Sequence, residues 1–387
     1  MRPLLALAAA TLLGGTLLTA CTAQPPNPTP PQTSAPAEAD GVQPAGTPTD
    51  VATGFASPWS VVRIHPERDD SPVLVSQRDD GSVFLLLPDS NSASGAMTAQ
   101  RIGTVPGVVH EGEGGLLGLA YLDDGDTEWL YAYETTESDN RIIRIAFGDE
   151  AGLTSDPEVV LSGLAKAGNH NGGRIAFGPD GMLYATVGDA SNPDTAQDPA
   201  SLNGKILRMT PTGKVPKDNP IDGSLVYSMG HRNPQGLAWD SDGQLWAAEF
   251  GQDTWDEFNR IEPAGNYGWP VVEGIGPDPV DSPDTYIDPW AQWPTDDASP
   301  SGLTYVDGTF FMAGLGGERL WAINVDEAAG GATATEWFTG EYGRIRDVTE
   351  GRDGSLWMLT NNTDGRGGPR EGDDRILQVE LVELAEG

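Results

Sequence analysis

Residues 169–189 read NHNGGRIAFGPDGMLYATVGD and bring one of only four histidines in the chain near a carboxylate. Asp180-Gly181 lies between two β-patterned runs and predicts a hairpin, because glycine accepts the positive φ that such turns need. Folding the segment about that turn sets Asp189 roughly opposite Gly172, so His170 and Asp189 meet at one strand end. A carboxylate that fixes the tautomer of an imidazole and stabilises the imidazolium makes a general base. Asn and His are also ordinary loop residues, so the pair needs a setting before it means catalysis.

The setting is a repeat. Asp-Gly turns recur at Gly125, Gly181, Gly243, Gly308 and Gly354, with a sixth at Gly81, nearly all followed by alternating apolar and aromatic residues. No long amphipathic helix intervenes. The irregular spacing excludes a solenoid and suits four-stranded antiparallel blades, so the fold expected is all-β, a six-bladed β-propeller, with a pair of β-sandwiches as the competitor. About ten to twelve residues before several turn glycines stand Glu113, His170, Arg232 with Asn233, and Arg344. In equivalent blades these side chains converge on one end of the propeller axis. A ring of one carboxylate, one imidazole, one amide and several guanidiniums is a poor core and a good pocket for a planar anion.

The chain opens MRPLLALAAATLLGGTLLTAC, an apolar run too short for a membrane span that ends in small residues, and residues 1–21 read as a secretory leader. Leu18-Thr19-Ala20-Cys21 resembles a bacterial lipobox, and Cys21 is the only cysteine, so no intrachain disulfide forms. Residues 22–49, rich in Pro, Thr and Ala, are expected to be a disordered tether, leaving 50–387 as the folded domain. The expected location is the extracytoplasmic cell envelope, with contact to the membrane only through a lipid on Cys21. A formal net charge of −36 excludes nucleic acid and anionic lipid as partners.

Seven stretches together resemble the PQQ-dependent soluble glucose dehydrogenase and aldose sugar dehydrogenase family: GEGGLLGLAY (112–121), NHNGGRIAFGPDG with VGD (169–189), NGKILRMTPTGKVPKDNP (203–220), GHRNPQGLAW (230–239), DEFNRIEPAGNYGWP (256–270), WPT (293–295) and YGRIRDV (342–348). The resemblance implies a six-bladed propeller that oxidises the C1 hydroxyl of aldoses to lactones, with electrons passed to a quinone or a heme protein such as a cytochrome. It implies that His170 is the catalytic base, that Asp189 supports it, and that Arg232 and Asn233 contact PQQ near its reactive carbonyl. Thr295, Arg344 and Arg346 match further cofactor contacts, guanidiniums suiting carboxylates because their forked donors bind bidentately. Arg346 could instead pair with Asp347 or Asp373.

Calcium enters twice by the same resemblance. The ion at the cofactor is held partly by main-chain oxygens, here those of Gly251 and Gln252, and a structural ion draws on Glu257 and the main chain of Tyr267. Hard cations with oxygen ligands suit both roles. Two positions depart from the family pattern. Glu113 stands where the soluble glucose dehydrogenases carry glutamine, and it is either protonated, or binds a cation, or contacts substrate, because an ionised glutamate cannot donate to a quinone oxygen. Gly316 stands where a cofactor-contacting lysine is expected, with Arg319 three residues on. The alternatives are a lactonase-type propeller, which would place carboxylates at its axis, and a non-catalytic surface propeller binding a ligand at the central pocket.

Overall fold

The computed structural model describes residues 41–65, 68, 71–88, 96–148, 152–276 and 286–384. The leader, Cys21 and the tether up to residue 40 lie outside the described residues.

Six antiparallel sheets follow one another along the chain, five of four strands and one with an added two-residue strand, Gly152–Leu153. This is a six-bladed propeller. Each blade starts with an inner strand: Pro58–Arg63, Leu116–Asp123, Ile175–Phe177, Asn233–Trp239, Pro300–Val306 and Ile345–Glu350. The middle strands read as unbroken buried runs, such as Leu183–Val187 and Lys205–Met209, because both faces of a blade pack against neighbouring blades. The outer strand Gly331–Trp337 keeps a half-exposed pattern. Between the fourth and fifth blades Trp246 stacks on Phe258 at 4.9 Å and meets Phe310 at 5.3 Å. Each such buried side chain stabilises the fold by ~1.5–3 kcal/mol relative to exposure.

Five of the six Asp-Gly turns join the first and second strands of their blades. Gly81 does not. It lies between the second and third strands of the first blade, Val73–Gln77 and Ser82–Pro88, so it is not equivalent to the others.

The tether ends earlier than its composition suggests. Val42–Thr53 is a strand, the outermost of the last blade, and pairs Val42 with Glu383 and Thr53 with Arg375. The ring is thereby closed by hydrogen bonds between the two ends of the described chain. Its prolines are tolerated because an outermost strand has one row of N–H groups with no ladder partner to satisfy, and Val51 and Ala52 are buried against the first blade.

Candidate active site

The N-terminal ends of the inner strands converge around a cavity of about 140 Å³, lined by Trp59, Glu113, Gln235, Arg344, Arg346 and Arg366 among others. A larger cavity, about 370 Å³, opens at the C-terminal ends of the same strands, lined mainly by apolar side chains. The buried ion pair between Arg174 and Asp347, 2.8 Å, borders that second cavity. The smaller cavity carries the convergent ionisable groups, and the site is assigned to it.

His170 Nδ1 lies 2.8 Å from Asp189 Oδ1, with 12 % of the histidine side chain and none of the aspartate exposed. The hairpin brings them together as its register requires: Ile175 pairs with Ala185, and the Ala190 N–H donates to the His170 carbonyl at 3.1 Å. A Cβ on Gly188 would stand 2.1 Å from the His170 oxygen, so only glycine permits this approach. Asp189 accepts from the Ser191 N–H at 2.8 Å and, through its other oxygen, from the Trp269 indole at 2.9 Å. With Nδ1 committed to the carboxylate, Nε2 is the nitrogen left for a substrate proton.

Arg232 and Asn233 begin the fourth inner strand and share one acceptor. Both backbone N–H groups donate to Glu249 Oε1, whose second oxygen meets His231 Nδ1 at 2.7 Å. Asn233 Oδ1 in turn accepts from the Gly172 N–H at 3.0 Å, fastening this strand to the histidine loop. The Arg232 guanidinium lies 5.5 Å from the Trp269 ring, and burial pulls its pKa below the usual arginine range.

Arg344 donates to Asp364 Oδ2 at 3.2 Å, and Arg346 donates to Gln235 Oε1 at 2.9 Å. The alternative partners of Arg346 are engaged elsewhere, Asp347 with Arg174 and Asp373 with Arg375. Burial, reinforced by the Arg344 charge, pushes the Arg346 pKa down to about 9. The Nε atoms of Arg232, Arg344 and Arg346 are buried and make no hydrogen bond. Asp364 and Glu113 are the carboxylates paired with Arg344, Arg346 and Arg366. A cavity so supplied with cations fits a polyanionic planar ligand such as PQQ.

Both oxygens of Glu113 are acceptors, one from the His170 N–H at 3.0 Å and one from Arg366 at 2.9 Å. Thr295 is not among the residues lining the cavity. Its carbonyl accepts from Ser299, and Ser299 is the residue of that loop that lines it. Arg319 also points elsewhere, to Glu336 at 2.5 Å and Asp297 at 3.7 Å. The Ser299 hydroxyl fills the space beside Gly316, 2.4 Å from where a Cβ would be. The cation that sequence reasoning missed is Arg366, together with Asp364, Gln235 and the indole of Trp269.

Three of the four expected calcium ligands, Gly251, Glu257 and Tyr267, border one small void. The Gly251 N–H donates to Asp256 and the Gln252 N–H to Glu273, leaving their carbonyls as the relevant donors. Glu249 and Glu273 border the same void. Burial and the neighbouring Glu249 charge raise the Glu257 pKa, and burial pushes Asp256 up to about 7. Crowded buried carboxylates are the donor chemistry of a hard cation. Among the described residues no group of three or more His, Cys, Asp or Glu side chains is already arranged to hold a metal.

The family described as Glucose / Sorbosone dehydrogenase matches residues 55–374. Quinoprotein glucose dehydrogenase B of Acinetobacter calcoaceticus is 32% identical over 244 residues, 54% of this chain and 50% of that protein. Aldose sugar dehydrogenase YliI of Escherichia coli is 30% identical over 296 residues, 67% of this chain and 78% of that protein. Among solved structures, the PQQ-bound form of aldose sugar dehydrogenase from Streptomyces coelicolor superimposes with a TM-score of 0.80 at 47% identity, covering 90% of this chain and all of that one. A putative oxidoreductase (glucose dehydrogenase) from Thermus thermophilus follows at 0.74 and 38%, covering 88% and 100%. With the family match spanning residues 55–374 of a six-bladed propeller, this chain belongs to the glucose/sorbosone dehydrogenase family.

Proposed function

We propose that this protein is a PQQ- and calcium-dependent aldose sugar dehydrogenase that oxidises the C1 hydroxyl of an aldose to the lactone. The observation that carries the reading is a carboxylate-oriented imidazole in the loop whose Asn171 and Gly172 line a cavity rich in guanidinium groups. PQQ, when bound, supplies the two-electron acceptor for the hydride leaving C1. His170 Nε2 takes the hydroxyl proton, and Asp189 stabilises the resulting imidazolium. Arg344 and Arg346 would hold the cofactor's carboxylates, and Arg232 with Asn233 would serve its reactive carbonyl, where a cation stabilises developing negative charge.

The Gly251 and Gln252 carbonyls would hold a calcium at the cofactor, and Glu257 with the Tyr267 carbonyl would hold a structural one. Electrons leave to a quinone or heme acceptor. The leader and Cys21 make the protein an extracytoplasmic lipoprotein, and no helix among the described residues is long and apolar enough to cross a membrane.

Dye-linked oxidation of an aldose panel by the soluble domain, with and without added PQQ and Ca²⁺, tests the reading. Activity that requires both additions and disappears in His170→Ala supports it. Absence of both activity and PQQ binding by calorimetry would sink it in favour of a surface-binding propeller.

A further inference from the structure

Glu113 and the histidine loop hold each other reciprocally. The Glu113 N–H donates to the Gly168 carbonyl at 2.9 Å, and the His170 N–H donates back to Glu113 Oε2 at 3.0 Å. The segments are pressed so close that a Cβ on Gly112 would stand 2.0 Å from the same Gly168 oxygen. His170 itself adopts a left-handed backbone, φ 58°. A non-glycine residue holds that conformation only where its surroundings over-determine it. Three contacts do so here: Ala190 at the carbonyl, Asp189 at the ring and Glu113 at the amide.

The last of these contacts sets the Glu113 carboxylate against the histidine backbone, while Asp189 holds the ring. The Glu113 counter-charge comes from across the propeller. Arg366 Nη1 lies 2.9 Å from Glu113 Oε1, a contact between residues 253 apart in sequence. The arginine belongs to the segment between Leu356–Thr360 and Arg375–Glu383 of the last blade, and its own N–H is held by Asp364 Oδ1 at 2.9 Å. Asp364 also pairs with Arg344. Arg78, whose guanidinium donates to the Asp364 carbonyl, and Arg232, over Trp269, are further cations near this chain of contacts. One chain of contacts thus runs from the arginines of the sixth blade to the backbone of the histidine in the third.

We propose that Arg366 is a positioning residue that acts through Glu113, holding the His170 backbone in its left-handed conformation and balancing the carboxylate that does so. The catalytic consequence rests on the reading of His170 as the base; the clamp itself does not. In Arg366→Ala the Glu113 anion stands uncompensated, which favours its better-solvated positions away from the His170 N–H. It also leaves Glu113 free to swing. Adding Glu113→Gln removes the anion and keeps a carbonyl acceptor for the His170 N–H.

Two readouts test this. In the cofactor-free protein, amide hydrogen exchange at His170 is expected to be about 10-fold faster in Arg366→Ala and in Glu113→Ala. It should return to within about 3-fold of the parent in Arg366→Ala/Glu113→Gln and stay near the parent in Arg366→Lys. In the protein loaded with PQQ and Ca²⁺, Arg366→Ala is expected to lose kcat about 10-fold with KM for the sugar nearly unchanged, and the double variant to recover most of that loss. A double variant no better than Arg366→Ala, or His170 exchange unchanged in Arg366→Ala, overturns the proposal. Should Arg366→Ala fold poorly, Arg366→Gln carries the same comparison. The exchange series decides the clamp even if the parent protein oxidises no sugar, so the two readings fail separately.

Discussion

The indole N–H of Trp269 donates to Oδ2 of Asp189 at 2.9 Å, so the NYGWP turn of the fourth blade reaches the His170–Asp189 pair of the third. The carboxylate is thereby fixed at both oxygens, one by the indole and one by the imidazole and the Ser191 N–H. Trp269→Phe keeps the ring and removes the donor. A lost hydrogen bond to a buried charge amounts to ~1.5–3 kcal/mol, and the part of it felt in the transition state should lower kcat about 3–10-fold with little change in sugar KM. Steady-state kinetics with PQQ and Ca²⁺ in excess read the split.

Removing the proposed base is expected to have a larger effect. His170→Ala should lower kcat by about 10²–10⁴-fold, the range that positioned proton transfer contributes. Circular dichroism and PQQ affinity should stay close to those of the parent. A variant within a few-fold of the parent rate would assign the base elsewhere.

Arg346, proposed to hold a PQQ carboxylate, is expected to tie cofactor affinity to pH. Its pKa is pushed down to about 9, so its charge is lost as pH rises through that value, earlier than for an exposed arginine. Calorimetric PQQ affinity is expected to fall above about pH 9 in the parent protein. In Arg346→Met it should be about 10–100-fold weaker at neutral pH, the effect of one charge-assisted hydrogen bond, and should lack that alkaline limb.

Glu134 is a cost to stability that has no part in the site. It is 3% exposed, its Oε2 makes no hydrogen bond, and burial pushes its pKa from 4.5 up to about 7. Between those values the folded state keeps a proton that the unfolded state has released, so stability falls as pH rises from about 4.5 to about 7 and levels off beyond. Glu134→Gln should therefore stabilise by on the order of 2–3 kcal/mol at pH 8 and by almost nothing near pH 4. Thermal unfolding at the two pH values checks the difference.

Calcium should be visible without turnover. At 100 times its Kd a ligand specific to the folded state stabilises by about 2.7 kcal/mol, and a chelator should lower Tm correspondingly. Glu257→Gln should remove part of that increment, with the remainder belonging to the ion at Gly251 and Gln252. A Tm indifferent to calcium in the parent would leave both sets of oxygens without a metal role.

What was legible in the sequence is what short stretches of chain settle among themselves. Five inner hairpins follow from turn chemistry at Gly125, Gly181, Gly243, Gly308 and Gly354, because a glycine at positive φ acts within a few residues. The His170–Asp189 contact follows from the register of one hairpin, and its partners are only 19 residues apart. Repetition of the hairpin pointed to the propeller, and side chains at like positions before the turns pointed to its axis.

Contacts between blades were settled only by the folded ring, since they follow from how blades pack and leave no period in the chain. Arg366 on Glu113, Trp269 on Asp189 and Gln235 on Arg346 join segments 253, 80 and 111 residues apart. The strand Val42–Thr53 reads as tether for the same reason: a proline-containing outermost strand is ordered by partners distant in sequence, the C-terminal strand beside it and the first blade that buries Val51 and Ala52. Local sequence thus determined which groups could do chemistry, and ring closure decided which of them share a cavity and which charges balance there.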